Sequence, residues 1–231
     1  MLRYLFSNTS HNLCQLWYLY PNETHNNDGM YINYFEKVKG FDFQLEDSFK
    51  KIISANRSVK ALENANLLKN INYFGDIIED DKDLKYRKNW FEKALEFSKN
   101  SDFILTDSDN GIAVKCDKTN KSLEILGFEK FKNRSKSGKY IFIDEIKDLY
   151  ETSNCLIVYH HLNRCFAHDL QIENLKENLE KEFKKVLAIK HKPYSPRVFF
   201  FLCKDEEKYD FLISRLKNFE KEFSIHWKLF L

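Results

Sequence analysis

Apolar and polar positions change period several times along this chain, and each change marks an element. Residues 16–20 (LWYLY) form a short apolar and aromatic run stopped at Pro21, the composition of a buried strand. A polar loop over 22–29 (NETHNNDG) follows, rich in residues that tolerate turns and positive φ. Tyr31, Tyr34, Phe35 and Val38 recur at helical spacing with Gly40 as the stop. Phe49, Ile52, Ile53, Val59, Leu62 and Leu67 predict one or two helices over 45–68, and 71–74 reads as a short strand before Gly75. Trp90, Phe91, Ala94, Leu95 and Phe97 make the buried stripe of another helix. A strand at 103–105 runs straight into TDSDNG at 106–111, and the alternation over 112–126 around residues 117–120 predicts a hairpin. A basic loop (KFKNRSKSGK, 130–139), a strand at 140–143 and a helix from Glu145 come next. The run CLIVY at 155–159 is a buried strand ending at His160-His161, and 170–186 reads as a charged amphipathic helix. Strands at 198–203 and 226–231 enclose a helix over 208–219.

Strands separated by helices predict an α/β protein: a three-layer sandwich with a mainly parallel, Rossmann-like central sheet and a hairpin insertion. Residues 1–231 are expected to form one domain, the hairpin and basic loop being inserted at about 112–139. The late strands at Val198 and His226 are expected as antiparallel edges. With 43% hydrophobic and 16% aromatic residues, the 231-residue chain can bury a sizeable core. Only 6 Gly and 3 Pro exclude a collagen-like or linker-rich chain. Lys and Arg at 37 against Asp and Glu at 35 leave +2, so contact with DNA or RNA has to come from a local patch. No apolar run approaches the roughly 18 residues of a membrane helix, and no apolar signal segment follows Met1, so no membrane association is expected. Five irregularly spaced Cys suggest reduced thiols and a cytoplasmic location.

The chemistry collects just after strands, where open α/β sheets bind their ligands. Asn27 and Asp28 follow the first strand; Asp107, Asp109 and Asn110 follow the central one; His160, His161 and Arg164 follow the CLIVY strand; Lys139 and Glu145 flank a fourth. Two carboxylates at i and i+2 in a tight loop can face one hard cation, and Asn110-Gly111 lets the backbone turn sharply. An ordinary Asp-rich turn has the same appearance. His160 or His161 can serve as general base, metal ligand or phosphate clamp, and each is equally compatible with a satisfied histidine at a strand end. The basic loop containing Arg134 and Lys139, with Phe128, Phe131 and Tyr140 nearby, can steer a phosphodiester backbone or simply be solvated. Cys155, Cys165 and His168 lack zinc-site spacing and read as buried free thiols with a histidine. No G-x-G-x-x-G, G-x-x-x-x-G-K-[ST], H-E-x-x-H or G-x-S-x-G motif is present, which argues against dinucleotide oxidoreductases, P-loop ATPases, zincins and α/β-hydrolases.

Trp17-Tyr18-Leu19, Pro21, Glu23, Asn26-Asn27-Asp28-Gly29, Arg57-Ser58-Val59, Asp107-Ser108-Asp109-Asn110-Gly111, Lys139-Tyr140 and Tyr159-His160-His161 together resemble a family of uncharacterised bacterial proteins. The resemblance runs from about Leu16 to Arg164 and brings no established activity. Phe103 to Gly111 also resembles the strand and D-x-D segment of Toprim domains, which implies Mg²⁺ held by Asp107 and Asp109 for phosphodiester chemistry. The same segment is similar to the Asp-Pro-Pro-Tyr strand end of amino-methylating, S-adenosylmethionine-dependent methyltransferases, with Asp107 matching the acid.

The leading expectation is a nuclease-like enzyme. Asp107 and Asp109 would hold Mg²⁺ or Mn²⁺, with Glu145 or Asp28 completing the shell, and His161 or His160 would activate water. Lys139 and Arg164 would offset phosphate charge, while Asn27, Asn110 and Arg134 would contact DNA or RNA. The alternatives are a methyltransferase-fold protein acting on nucleic acid and a non-catalytic interaction module of a defence or regulatory complex.

Overall fold

A computed structural model describes residues 1–21, 42–55, 57–78, 84–132, 134, 136–192 and 196–231. Two compact units are present, one of Pro21–Lys69 and one of Met1–Tyr20 with Asn70–Leu231. The larger opens with α1 (Leu2–Phe6) and β1 (Leu13–Tyr18). The smaller contributes α2 (Phe43–Ala55) and α3 (Val59–Asn64). Asp42 caps α2 by accepting from the Leu45 amide at 2.9 Å, and Ser58 caps α3 by accepting from Ala61 at 3.1 Å. The polar loop containing Asn27 and Asp28, and the helical spacing from Tyr31 to Val38, lie outside the described residues.

The larger unit resumes with β2 (Ile71–Phe74), α4 (Leu84–Ser98) and β3 (Phe103–Ser108). A short excursion follows: β4 (Gly111–Ile112), β5 (Val114–Asp117), β6 (Ser122–Ile125), α5 (Phe128–Phe131), a 3₁₀ turn at Ser137–Lys139, and β7 (Tyr140–Ile141). The chain then runs through α6 (Ile143–Thr152), β8 (Cys155–His161), α7 (His168–Glu180), β9 (Lys185–His191), β10 (Arg197–Cys203), α8 (Glu206–Glu222) and β11 (Trp227–Phe230). The expected hairpin is β5 paired antiparallel with β6, Val114 opposite Ile125.

Seven strands form one sheet in the order β11-β9-β10-β8-β3-β1-β2. From β2 to β8 neighbouring strands are parallel, and from β8 to β11 they are antiparallel. The chain steps outward from β1 to β2 and then returns past β1 to β3, so strand progression reverses between β1 and β3.

Helices lie on both sides of the sheet, and side-chain alternation sorts them. Cys14, Leu16, Tyr18, Ile104, Leu156, Val158, Phe200 and Leu202 point to one face and pack with Trp90 and Ala94 of α4, Ile146 and Leu149 of α6, and Ile172 and Leu175 of α7. On the opposite face Phe103 meets Phe6 of α1 and Phe211 of α8, ring centroids 4.8 and 6.1 Å apart. Burial on both faces explains why the central strands read as continuous apolar runs.

Several expectations need correction. The helix expected over 170–186 stops at Glu180, and Lys185–His191 is a strand. Val186, Leu187, Ala188 and Ile189 are all buried, so β9 carries no polar alternation to separate it from the apolar stripe before it. β10 is antiparallel as expected but central, between β8 and β9; of the two late strands only β11 is an edge. Cys116 and Cys165 are joined in a disulfide across a sequence separation of 49, leaving Cys14, Cys155 and Cys203 as buried free thiols. Among the described residues no helix is long and apolar enough to cross a membrane.

Candidate functional site at the strand ends

Asp107 lies in β3, beside Trp17 of β1 in the parallel register. Gln15, buried one pleat earlier on β1, donates from Nε2 to Asp107 Oδ2 at 3.5 Å. Burial pushes the Asp107 carboxyl up to about 6; the Arg197 guanidinium opposes the shift and the Asp109 carboxylate reinforces it. This carboxyl therefore exchanges its proton near neutral pH, where an unperturbed aspartate would not.

Asp109 follows on an exposed turn, and the Lys139 ammonium sits 2.8 Å from its Oδ2. Lys139 is itself buried, with its ammonium 5.4 Å from the centre of the Tyr20 ring. The Asn110 amide donates to the Lys139 carbonyl at 2.9 Å, and its own carbonyl accepts from the His161 amide at 3.3 Å. Asn110 thus fastens the acidic turn to the 3₁₀ turn on one side and to β8 on the other, through its backbone.

Gly111 turns the chain with φ of 81°. A β-carbon there would stand 2.3 Å from the His160 α-carbon and 2.7 Å from the Tyr159 carbonyl oxygen. Only glycine allows β4 to cross β8 so closely. That crossing lets the Ile112 amide donate to His160 Nδ1 at 3.1 Å. His160 is fully enclosed, and burial, with a smaller contribution from His161, holds its imidazole down at about 3. It is neutral, and since Nδ1 accepts, its proton is on Nε2. This geometry makes His160 a strut between β4 and β8.

His161 turns to the opposite face and is half-buried. Burial lowers its pKa, Arg197 and His168 add to the effect, and Asp109 opposes it, so the imidazole is neutral at pH 7. Arg197, at the start of β10, stands in register with both His161 and His191. Its guanidinium acts electrostatically on Asp107, Tyr159, His161 and His191, which places one cation at the centre of these groups.

Glu145 has a different position. Both its oxygens are held by Arg87, Nε to Oε1 at 2.7 Å and Nη2 to Oε2 at 2.9 Å, and both residues are buried. The Arg87 guanidinium lies about 5 Å from the centres of the Tyr18, Trp90 and Phe142 rings (5.1, 4.9 and 5.2 Å). Arg164 is exposed in the loop after β8, and Arg134 is exposed with its guanidinium 4.8 Å from the Phe131 ring centre. The structure therefore gathers Asp107, Asp109, Asn110, Lys139 and His161, sets Glu145 in a buried pair, and adds Gln15 and Arg197. A lone arginine opening the apolar run VFFFLC, directly after Pro196, was the available signal for Arg197.

Two carboxylates, a neutral imidazole and two cations can bind phosphate, move a proton and share a hard cation. Among the described residues no group of three His, Cys, Asp or Glu side chains gathers where a single metal could be held by protein alone. The donor set instead suits the mode in which Mg²⁺ takes one or two carboxylates and fills the rest of its shell with water and substrate phosphate. No protein-family model, curated protein or solved structure matches this chain.

Proposed function

We propose that the larger unit is a Rossmann-like three-layer sandwich and that the protein cleaves nucleic-acid phosphodiesters at the carboxyl ends of β3 and β8. The observation that carries this reading is the gathering of Asp107, Asp109, His161 and Arg197 beside the β1/β3 reversal. Ligand sites in open α/β sheets favour that position. Asp107 and Asp109 would hold Mg²⁺ or Mn²⁺ together with the scissile phosphate, and the cation would supply charge neutralisation and Lewis acidity. Gln15 orients Asp107. His161, neutral at pH 7, accepts the proton of the attacking water, and Arg197 and Lys139 bind the phosphate oxygens.

The test is cleavage of labelled single- and double-stranded DNA and RNA with Mg²⁺, Mn²⁺ or EDTA. Asp109→Asn and His161→Gln are each expected to lose about 100-fold or more in rate. The thermal midpoint should move little in Asp109→Asn, because a half-exposed ion pair is worth about 1 kcal/mol or less. Activity should fall as the pH drops below about 6, where Asp107 is protonated and can no longer serve a cation. Undiminished cleavage by Asp109→Asn would overturn the reading.

A second reading is favoured by the place of β3 immediately beside β1, where a nucleotide-type cofactor would lie: a methyltransferase-fold enzyme acting on nucleic acid. Against it, β1 leads into Leu19-Tyr20-Pro21, with no glycine to bring the backbone up to such a cofactor. Heat on titration with S-adenosylmethionine would move the assignment there. Absence of both cleavage and heat would favour an interaction module.

A further inference from the structure

Beyond the acidic turn, the same sheet face continues as a row of rings and one cation. Alternation puts Tyr159 and His161 of β8, Arg197 and Phe199 of β10, His191 of β9 and Trp227 of β11 on this face, and pairing places them side by side. Phe199 is opposite Tyr159, Arg197 opposite both His161 and His191, and Trp227 opposite His191. The rings touch in sequence: Tyr159 to Phe199 at 5.7 Å between centroids, Phe199 to Trp227 at 6.4 Å, and Trp227 to His191 at 4.8 Å, and the row begins where α8 ends, Phe219 packing on Trp227 at 5.2 Å. All but Tyr159 are half-buried, Trp227 being covered on one side by Phe219, so none of these is sealed in the core. His191 Nδ1, at the far end, is a buried polar atom with no hydrogen-bond partner among the described residues.

Rings laid across a sheet with an arginine among them suit unpaired bases, which stack on the rings while the guanidinium takes the backbone phosphate. A duplex keeps its bases stacked on one another and cannot use such a surface. We infer that this face binds single-stranded nucleic acid and leads it to the acidic turn, so the substrate of the site is a single strand. This deepens the phosphodiester reading and rests on it for the meaning of the acidic turn.

The test measures binding of a fluorescein-labelled oligothymidylate of about 15 nucleotides, and of a duplex of the same length, in EDTA over a range of salt. Phe199→Leu and Trp227→Leu keep apolar bulk while removing the ring, and circular dichroism confirms that each variant folds. Each is expected to weaken single-strand binding about tenfold with the salt slope unchanged. Arg197→Gln is expected to lower the slope by about 0.7, one phosphate contact. A duplex bound as tightly as the single strand, or ring variants that bind normally, would overturn the inference. Ring-dependent binding without cleavage under any metal would leave this surface standing and remove the nuclease. Cleavage with an unchanged KM in both ring variants would remove the surface alone.

Discussion

The Arg87–Glu145 pair shows what a single charged residue can mean once tertiary structure places it. Glu145 attracts notice in the sequence because it follows a strand, yet its partner is 58 positions away in the run YRKNW. Nothing local separates Arg87 from Lys85 or Lys88; enclosure by Tyr18, Trp90 and Phe142 does. Arg87→Met should leave a carboxylate buried without a counter-charge and cost about 3–5 kcal/mol in urea unfolding. Changing Arg87→Met and Glu145→Met together should recover most of that loss, since no buried charge remains. A double variant as unstable as the single one would mean that packing, rather than charge, is what Arg87 contributes. Arg197 had a local mark, opening an apolar run after Pro196, but its four titratable neighbours come from three strands and only the fold brings them to it.

Among the elements, most strands with apolar runs and helices with clear stripes were legible, as was the hairpin; the acidic segment was expected as one tight turn after residue 105, but Asp107 belongs to β3 and only Asp109 and Asn110 make the turn. The turn's tightness was legible too, because Asn110-Gly111 permits positive φ. What glycine does there, making room for the His160 backbone, belongs to the crossing of β4 over β8 and leaves no local trace. Gly111→Ala should cost about 2–5 kcal/mol through left-handed strain and overlap with backbone atoms that cannot move aside. The loss would appear as a lower urea midpoint; an unchanged midpoint would mean that β4 can lift off β8 at little expense. β9 escaped detection because its apolar run follows the α7 stripe with no Gly or Pro between them to mark a boundary. The central placement of β10 escaped it because pairing order is decided by which surfaces need covering.

Across the whole molecule, the Cys116–Cys165 bridge ties the β5–β6 hairpin to the loop after β8. Closing a loop of 49 residues in the unfolded chain corresponds to at most about 4 kcal/mol. Dithiothreitol, or Cys116→Ser with Cys165→Ser, should lower the thermal midpoint by several degrees, the two treatments giving the same value. A midpoint indifferent to both would place the hairpin's stability entirely in its contacts with α7, where Asn174 accepts from the Leu123 amide at 2.7 Å. The two halves of the sheet also differ in how far the chain must travel to close them. In the antiparallel half, His191 pairs with Arg197 across one short connection, whereas in the parallel half the Asn12 amide reaches Asp102 across 90 positions. Loop closure is slower and entropically costlier the longer the span. The β9–β10 ribbon is therefore expected to pair early in folding and β1 late. Because Gln15 of β1 is what reaches Asp107, a chain whose β1 is not yet seated is expected to lack the arrangement on which the proposed cleavage rests.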